Sequence, residues 1–161
     1  MADTVDALKK ELVKQLKDGN AHAKFEDVTA KLPRELRGKK VKGLPFTLWQ
    51  LLEHIRIAQR DMLDFCRNQD GSYKELEWPG DYWPKAPPPK DDKAWSKSVK
   101  QFLADREAFI ALLEATDADL YTPFPWGTGQ TLLHEAIMIV DHNGYHLGEM
   151  VAVRRLLGAW K

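Results

Sequence analysis

The stretch LWQLLEHIRIAQRDMLDFCRN, residues 48–68, contains neither glycine nor proline, and its apolar residues recur at the spacing of an α-helix. Thr47 precedes the stretch as a predicted N-cap, and Gln50 stands at the position that completes a capping box. Leucine, isoleucine, methionine and phenylalanine side chains form one broad apolar face. A helix with such a face packs against neighbouring helices around a shared core.

Three further segments show helical spacing of apolar residues. Residues 4–17 and 91–115 predict amphipathic helices, and a last helix is predicted to begin between residues 128 and 131 and to end at Leu157. A shorter helical piece is predicted at 21–32, where it stops before a proline. No run of residues alternates with a period of two, and no segment repeats.

These elements predict an all-α fold. Long amphipathic helices joined in one chain favour an antiparallel four-helix bundle, here with an additional N-terminal helix. A length of 161 residues suits a single domain over residues 1–161.

The charge balance argues against a nucleic-acid partner. Lysine and arginine number 24, and aspartate and glutamate also number 24, so the formal net charge is zero. The one basic run, RELRGKKVKG at 34–43, lies between helical segments and indicates a solvated connector. Proteins that bind nucleic-acid backbones normally carry extensive positive charge, so we expect no nucleic-acid binding.

Cysteine usage and hydropathy favour a cytoplasmic protein. The single cysteine, Cys66, permits no disulfide within the chain and fits a reducing compartment. No apolar signal segment is present at the N-terminus, and no run approaches about 18 consecutive apolar residues, so no membrane span is expected. Cys66 is about 120° around its helix from His54 and is predicted to pack as a small hydrophobic residue rather than to act as a nucleophile.

The stretch DHNGYHLGEM, residues 141–150, carries two histidines four residues apart. On a helix His142 and His146 project side by side, one turn apart, although such a pair is more often a core or surface feature than a metal site. The apolar neighbours of the pair cover most of the helix circumference, which predicts a central helix. His54 is embedded in the core-facing pattern of residues 48–68, so packing of the two helices would bring three imidazoles together. Three neutral imidazoles with an open position are typical of a catalytic zinc site, and nickel or iron would also be accepted.

Other polar residues near these histidines have two readings each. His134 begins the motif HEAIM, which lacks the second histidine of a zinc-protease motif, and the His134 side chain is rotated around the helix away from His142. His22 is predicted either to be structural or to line a pocket. Three carboxylates are spaced seven residues from a histidine and either accept a hydrogen bond from a metal-binding imidazole or face solvent: Asp61 from His54, and Glu135 and Glu149 from His142.

Residues 71–90 contain five prolines and are predicted to be irregular. The aromatic residues of this loop, Trp78, Tyr82 and Trp83, and Trp126 of a later connection, either form the mouth of an apolar pocket or pack over the bundle.

The chain resembles the DinB-like superfamily, also described as DinB/YfiT-like metalloenzymes. The resemblance rests on LWQLLEHIRIAQRDMLDF, EWPGDYWP and TLLHEAIMIVDHNGYHLGEMVAVRRLLGAW, and it extends from about residue 20 to the C-terminus. It implies a four-helix bundle in up-down-down-up order, frequent homodimers, and a divalent metal ion held by His54, His142 and His146. Related families are thiol transferases and isomerases that use low-molecular-weight thiols such as bacillithiol or mycothiol.

The resemblance leaves three functions open. One is a metal-dependent enzyme, a transferase or hydrolase acting on a small molecule, with a thiol as an additional cofactor or substrate. Another is a non-catalytic protein of the stress response that binds metal or a small ligand. A third is a structural helical dimer whose histidines hold no metal.

Overall fold

The computed structural model describes residues 2–85, 87–88 and 91–160, and within these ranges the chain is helical, without a β-strand. Residues 86, 89 and 90 of the predicted irregular loop lie outside the described residues. The α-helices are α1 (Ala2–Asp18), α2 (Phe25–Thr29), α3 (Arg34–Arg37), α4 (Leu48–Cys66), α5 (Asp92–Glu114) and α6 (Leu132–Leu156), and two short 3-10 turns are formed by Asn68–Asp70 and Gly80–Tyr82. The predicted all-α class is confirmed.

Four long helices, α1, α4, α5 and α6, form the bundle. Helix α4 packs against both α5 and α6, and α1 packs against the same two helices, so each long helix touches two others. The N-terminal helix, expected in addition to the bundle, is therefore one of its four long helices. The short helices α2 and α3 are added to it between α1 and α4. The up-down-down-up order stays a prediction.

Local signals determine where the helices begin and end. The Thr47 hydroxyl accepts a hydrogen bond from the Gln50 amide and the Gln50 side chain accepts one from the Thr47 amide, which completes the predicted capping box of α4. The Asp91 carboxylate caps α5, and the Thr131 hydroxyl accepts a hydrogen bond from the His134 amide at the start of α6. Each long helix after the first connector thus begins at a side chain that satisfies free backbone N–H groups.

The predicted helix at 21–32 is wrong in length, because only Phe25–Thr29 is helical. The backbone leaves the helical region at Ala30, where ψ is 151°, and Lys31 has a positive φ of 51°. Positive φ in a residue with a side chain ends a helix, so the apolar spacing continues further than the helix does.

The core consists of two apolar clusters that α4 connects. The first cluster includes Phe25, Leu48, Leu52, Phe102, Met150 and Val153. The second includes Leu12, Leu63, Cys66, Phe109, Leu113 and Ile139. At the boundary between the two clusters, α4 and α6 contribute polar side chains: His54, Gln59, His142, Asn143 and His146.

Cys66 is buried in the second cluster, which confirms its packing as a small hydrophobic residue. This burial raises the pKa of its thiol.

Helix α6 is less central than its apolar composition predicts. Ile137, Met138, Tyr145 and Leu156 are 40% to 66% exposed and lie on the outer side of the helix. The expectation of a helix surrounded by protein is therefore wrong on this side.

The homodimer implied by the resemblance stays a prediction, which a measurement of the molecular mass in solution would check. Within the described residues no helix is long and apolar enough to cross a membrane.

Arg154 on α6 joins three parts of the chain although it is only 5% exposed. Its Nη1 donates to the carbonyl oxygens of Asp27, Val28 and Ala30 at 3.2, 2.6 and 3.1 Å. Its Nε and Nη2 donate to the carbonyl of Ala159 at 3.0 and 2.7 Å. The guanidinium thus satisfies carbonyls at the end of α2 and in the C-terminal segment, where no helix supplies donors.

Replacing Arg154 with alanine should lower the free energy of unfolding by about 3 kcal/mol or more, because buried carbonyls lose their donors. The neighbouring Arg155→Ala, at an exposed position of the same helix turn, should change it by less than about 0.5 kcal/mol. Urea unfolding of both variants measures the difference. Equal stability of the two variants would show that the hydrogen bonds of Arg154 add nothing to the fold.

Candidate metal centre

Three histidine rings converge where α4 packs against α6. The Nε2 atom of His54 lies 3.0 Å from that of His142 and 3.1 Å from that of His146. One ligand nitrogen from each ring lies within 4.8 Å of the others, and among the described residues no other group of three His, Cys, Asp or Glu side chains is so compact. The structure therefore brings together the three histidines that the sequence singled out.

The cluster is largely removed from solvent. His54 is 2% exposed and His146 is 8% exposed. Burial, together with the charge of the neighbouring imidazoles, lowers the pKa of His142 and of His146 to about 4, and burial also lowers the pKa of His54. The three imidazoles are therefore neutral near pH 7, which is the form that binds a metal ion.

Hydrogen bonds at the far side of two rings determine where their protons lie. The Nδ1 of His54 is 2.8 Å from the Tyr82 carbonyl oxygen, and the Nδ1 of His146 is 2.7 Å from Oε2 of Glu149. A carbonyl or carboxylate oxygen accepts hydrogen bonds, so each Nδ1 carries the proton and donates it. In a neutral ring the Nε2 then carries a lone pair. The Nε2 atoms of His54 and His146 thus direct two lone pairs at each other across 3.1 Å.

This arrangement fits a metal ion. Nitrogen ligands that lie about 2.0–2.1 Å from a tetrahedral zinc ion are about 3.3 Å from one another. The separations of 3.0 and 3.1 Å are close to that value, and a cation at the common point would remove the repulsion between the lone pairs. His142 differs from the other two rings, because its buried Nδ1 makes no hydrogen bond with the described residues, although the side-chain amide of Asn143 lies near it.

The irregular segment after α4 covers one side of the cluster. The ring of Trp83 stacks on His54 with 3.9 Å between centroids and 1° between planes, and Phe46 stacks on Trp83 at the same distance. Trp78 is 70% exposed and does not contact the histidines. Trp126 packs elsewhere, where its indole N–H donates to the Phe65 carbonyl at 2.9 Å. Of the aromatic residues predicted to shape a pocket mouth, only Tyr82 and Trp83 contact His54.

The three candidate carboxylates have three different environments. Glu149 accepts the hydrogen bond of His146, as predicted for a residue that orients a metal-binding ring. Asp61 does not reach His54: its two oxygens accept hydrogen bonds from the hydroxyls of Tyr73 and Tyr82, at 3.0 and 2.6 Å. Asp61 therefore acts on His54 only through Tyr82. Glu135 makes no hydrogen bond with an imidazole in the described part of the chain, so this role is wrong for it.

The remaining histidines lie outside the cluster. His134 is exposed near the start of α6. His22 packs against Gly144 of α6, where an added Cβ would lie 3.1 Å from its Nε2. Glycine at position 144 thus allows the segment before α2 to approach the helix closely, and His22, which is exposed, stays open between a structural and a pocket-lining role.

Sequence reasoning missed two groups beside the histidines. The Tyr82 carbonyl determines the proton position of His54, and no sequence pattern marks a backbone oxygen. Gln59 is 1% exposed; its Oε1 accepts from Asn143 at 3.0 Å, and its Nε2 donates to the Phe102 carbonyl at 2.8 Å. A polar residue on the apolar face of α4 was the available signal for Gln59. This chain of hydrogen bonds ties α4, α5 and α6 together beside His142.

Comparison with known proteins gave one match. The model of the DinB superfamily matches residues 11–150, a range that contains all three clustered histidines. No curated protein and no solved structure matched the chain.

Substituting Tyr82 with phenylalanine removes the hydroxyl bonded to Asp61 but keeps the carbonyl that faces His54. The backbone amides of Asp81 and Tyr82, which donate to Glu77 and Pro79, should then exchange with solvent about tenfold faster or more. Tyr121→Phe, at a 56% exposed tyrosine in another connection, is the matched control and should leave them unchanged. Unchanged exchange in Tyr82→Phe would mean that stacking of Trp83 alone holds the segment.

Proposed function

The chain belongs to the DinB superfamily, and we propose that it is a metal-dependent enzyme that acts on a small molecule. His54, His142 and His146 would hold one divalent ion between α4 and α6. The observation that carries the proposal is the pair of facing lone pairs on His54 and His146, 3.1 Å apart in a buried layer. A proton on the Nε2 of His142 would satisfy the lone pair of His54 at 3.0 Å but not that of His146, whereas a divalent ion held by all three rings satisfies both.

The donor set narrows the choice of metal. Three imidazoles suit zinc, nickel or iron, whereas calcium and magnesium prefer oxygen ligands. A divalent ion held by three histidines supplies a Lewis acid with an open coordination position, as in catalytic zinc sites. The absence of a fourth protein ligand within the compact group supports a catalytic rather than a purely structural site.

The surrounding residues orient the histidine side chains for metal binding. The Tyr82 carbonyl and the Glu149 carboxylate fix the protons of His54 and His146 on Nδ1, so that both Nε2 atoms remain free to bind. Trp83 lies flat on His54 and excludes water from that side. Charges interact more strongly where water is excluded, so an anionic ligand such as a thiolate or a carboxylate is favoured at the open position.

The depth of the site favours a second candidate, a bundle that binds metal without turnover. His54 is 2% exposed and is covered by Trp83, which leaves little of its ring accessible. A non-catalytic protein of the stress response that binds metal or a small ligand would use the same three histidines. The two candidates differ in whether a small molecule reaches the ion.

The first prediction concerns the metal itself. Protein purified without a histidine tag should bind about one divalent ion per chain, measured by elemental analysis and by equilibrium titration. The His142→Ala variant should lose affinity by orders of magnitude, because one of three ligands is removed. His134→Ala changes an exposed histidine on the same helix and should leave affinity unchanged. Metal binding by His142→Ala as tight as that of the parent would remove His142 from the site.

The second prediction separates the two candidates. In cobalt-substituted protein the visible spectrum reports the ligand set, and 2-mercaptoethanol should change it in a saturable way. Apparent affinity should rise with pH toward the pKa of the thiol itself, because the thiolate is the binding form. Acetate tests the carboxylate in the same manner. A spectrum that stays constant at millimolar thiol between about pH 6 and 9 would favour the bundle without turnover.

A further inference from the structure

A second polar cavity lies away from the histidines, between α4, the start of α6 and two connecting segments. Its volume is about 260 Å³, just below the range of about 300–1,000 Å³ for drug-sized ligands, and so suits a smaller molecule. None of the three clustered histidines lines it. The residues that matter for its chemistry are three carboxylates and three aromatic side chains: Asp61, Glu75, Glu135, Phe65, Tyr73 and Trp126.

The charge of this cavity is negative. Asp61, Glu75 and Glu135 line it, and no lysine, arginine or histidine is among its lining residues in the described part of the chain. Burial and, to a smaller extent, repulsion by Asp61 raise the pKa of Glu135 above its usual value, against the lowering effect of the neighbouring His134. A cation in the cavity would remove this unfavourable interaction.

Glu135 is the carboxylate that accepts no hydrogen bond from the described residues. It is 7% exposed, and the favourable charge beside it is that of His134, the preceding residue of α6. Asp61, in contrast, accepts hydrogen bonds from the hydroxyls of Tyr73 and Tyr82. Buried carboxylates normally accept hydrogen bonds from donors or contact cations. A ligand in the cavity would supply the hydrogen-bond donor that the described residues do not give Glu135.

Aromatic rings form the other wall of the cavity. The Phe65 ring is edge-to-face with Tyr73 at 5.6 Å and with Phe124 at 5.5 Å. Trp126 stacks on Phe124 at 5.2 Å, and its indole N–H is already bonded to the Phe65 carbonyl. The rings are thus held in place and offer apolar surface and π-faces, which attract cations.

We propose that this cavity binds a small organic ammonium ion, with the ammonium group at Glu135 and the apolar part against Phe65 and Trp126. A divalent metal ion fits less well, because these carboxylates do not form a compact group of three ligand atoms. The aromatic wall would also be unused by a bare ion. This site is additional to the metal centre and does not depend on the function proposed for it.

Tyr82 connects the two sites. Asp61 lines the cavity and accepts a hydrogen bond from the Tyr82 hydroxyl, while the Tyr82 carbonyl accepts one from His54. Asp61, which lines the cavity together with Glu135, is therefore two hydrogen bonds away from a ring of the metal centre. The binding test is made on the full chain with and without added zinc, so that failure of one site is visible apart from the other.

The probe is n-butylammonium, which is cationic at about pH 7.5 because alkylamines have pKa values near that of lysine. The reporter is the indole N–H signal of Trp126 in a ¹H–¹⁵N spectrum, assigned with Trp126→Phe. We expect a saturable shift with n-butylammonium and at least about tenfold weaker binding of n-butanol, which has the same chain without the charge. This comparison needs no substitution at Glu135.

Glu135→Gln removes the charge and keeps the shape, and it should weaken n-butylammonium binding at least about tenfold. Glu114→Gln, at an exposed position on α5, is the matched control and should bind as the parent does. The proposal is overturned if the Trp126 signal does not move, if n-butanol binds equally well, or if Glu135→Gln binds unchanged. A saturable shift of equal size with magnesium chloride alone would assign the cavity to metal ions and would also overturn it.

Discussion

The close approach of three imidazole nitrogens at the contact of α4 and α6 is the constraint on which the surrounding structure depends. Two apolar clusters fill the ends of the bundle, and the histidines lie at the boundary between them. At this level a fully apolar core would pack without any need for hydrogen bonds. The chain instead buries His54 and His146 with lone pairs facing each other, an arrangement that a cation between them would stabilise.

The polar neighbours of the histidines follow from this constraint. Each ring that binds through Nε2 must have its proton on Nδ1, and a proton there needs an acceptor. A backbone carbonyl serves this purpose for His54 and the Glu149 carboxylate serves it for His146. The carbonyl comes from an irregular segment, so that segment must itself be held: Asp61 binds the hydroxyl of Tyr82, and Trp83 lies between His54 and Phe46. The loop thus contributes to the site through its backbone as much as through its side chains.

The three carboxylates spaced seven residues from a histidine show the limit of predicting side-chain contacts from helical spacing. Seven residues are nearly two turns, so all three carboxylates lie on roughly the same side of their helix as the histidine. Two turns also separate them by about 10 Å along the axis, which is too far for a direct hydrogen bond. Glu149 contacts a histidine because it is three residues from His146, whereas Asp61 and Glu135 meet the loops that pack beside them. Of the two roles that the sequence left open for these carboxylates, a hydrogen bond with an imidazole is found for Glu149 alone, and it follows from a spacing of three residues, not seven.

The sequence by itself determined the helices with clear caps and the pairing of two histidines. Thr47, Gln50 and Thr131 act on backbone groups within the next turn, and His142 and His146 are neighbours on any α-helix, so local geometry was sufficient. The core-facing position of His54 in the helix at 48–68 added it as a candidate third ligand, and the resemblance to the family implied the same residue. Only the tertiary structure decided that the Tyr82 carbonyl faces His54, that Arg154 satisfies the end of α2, and that Glu135 lines a cavity with Asp61. These contacts join segments far apart in the chain, and helical periodicity carries no information about which loop packs against which helix.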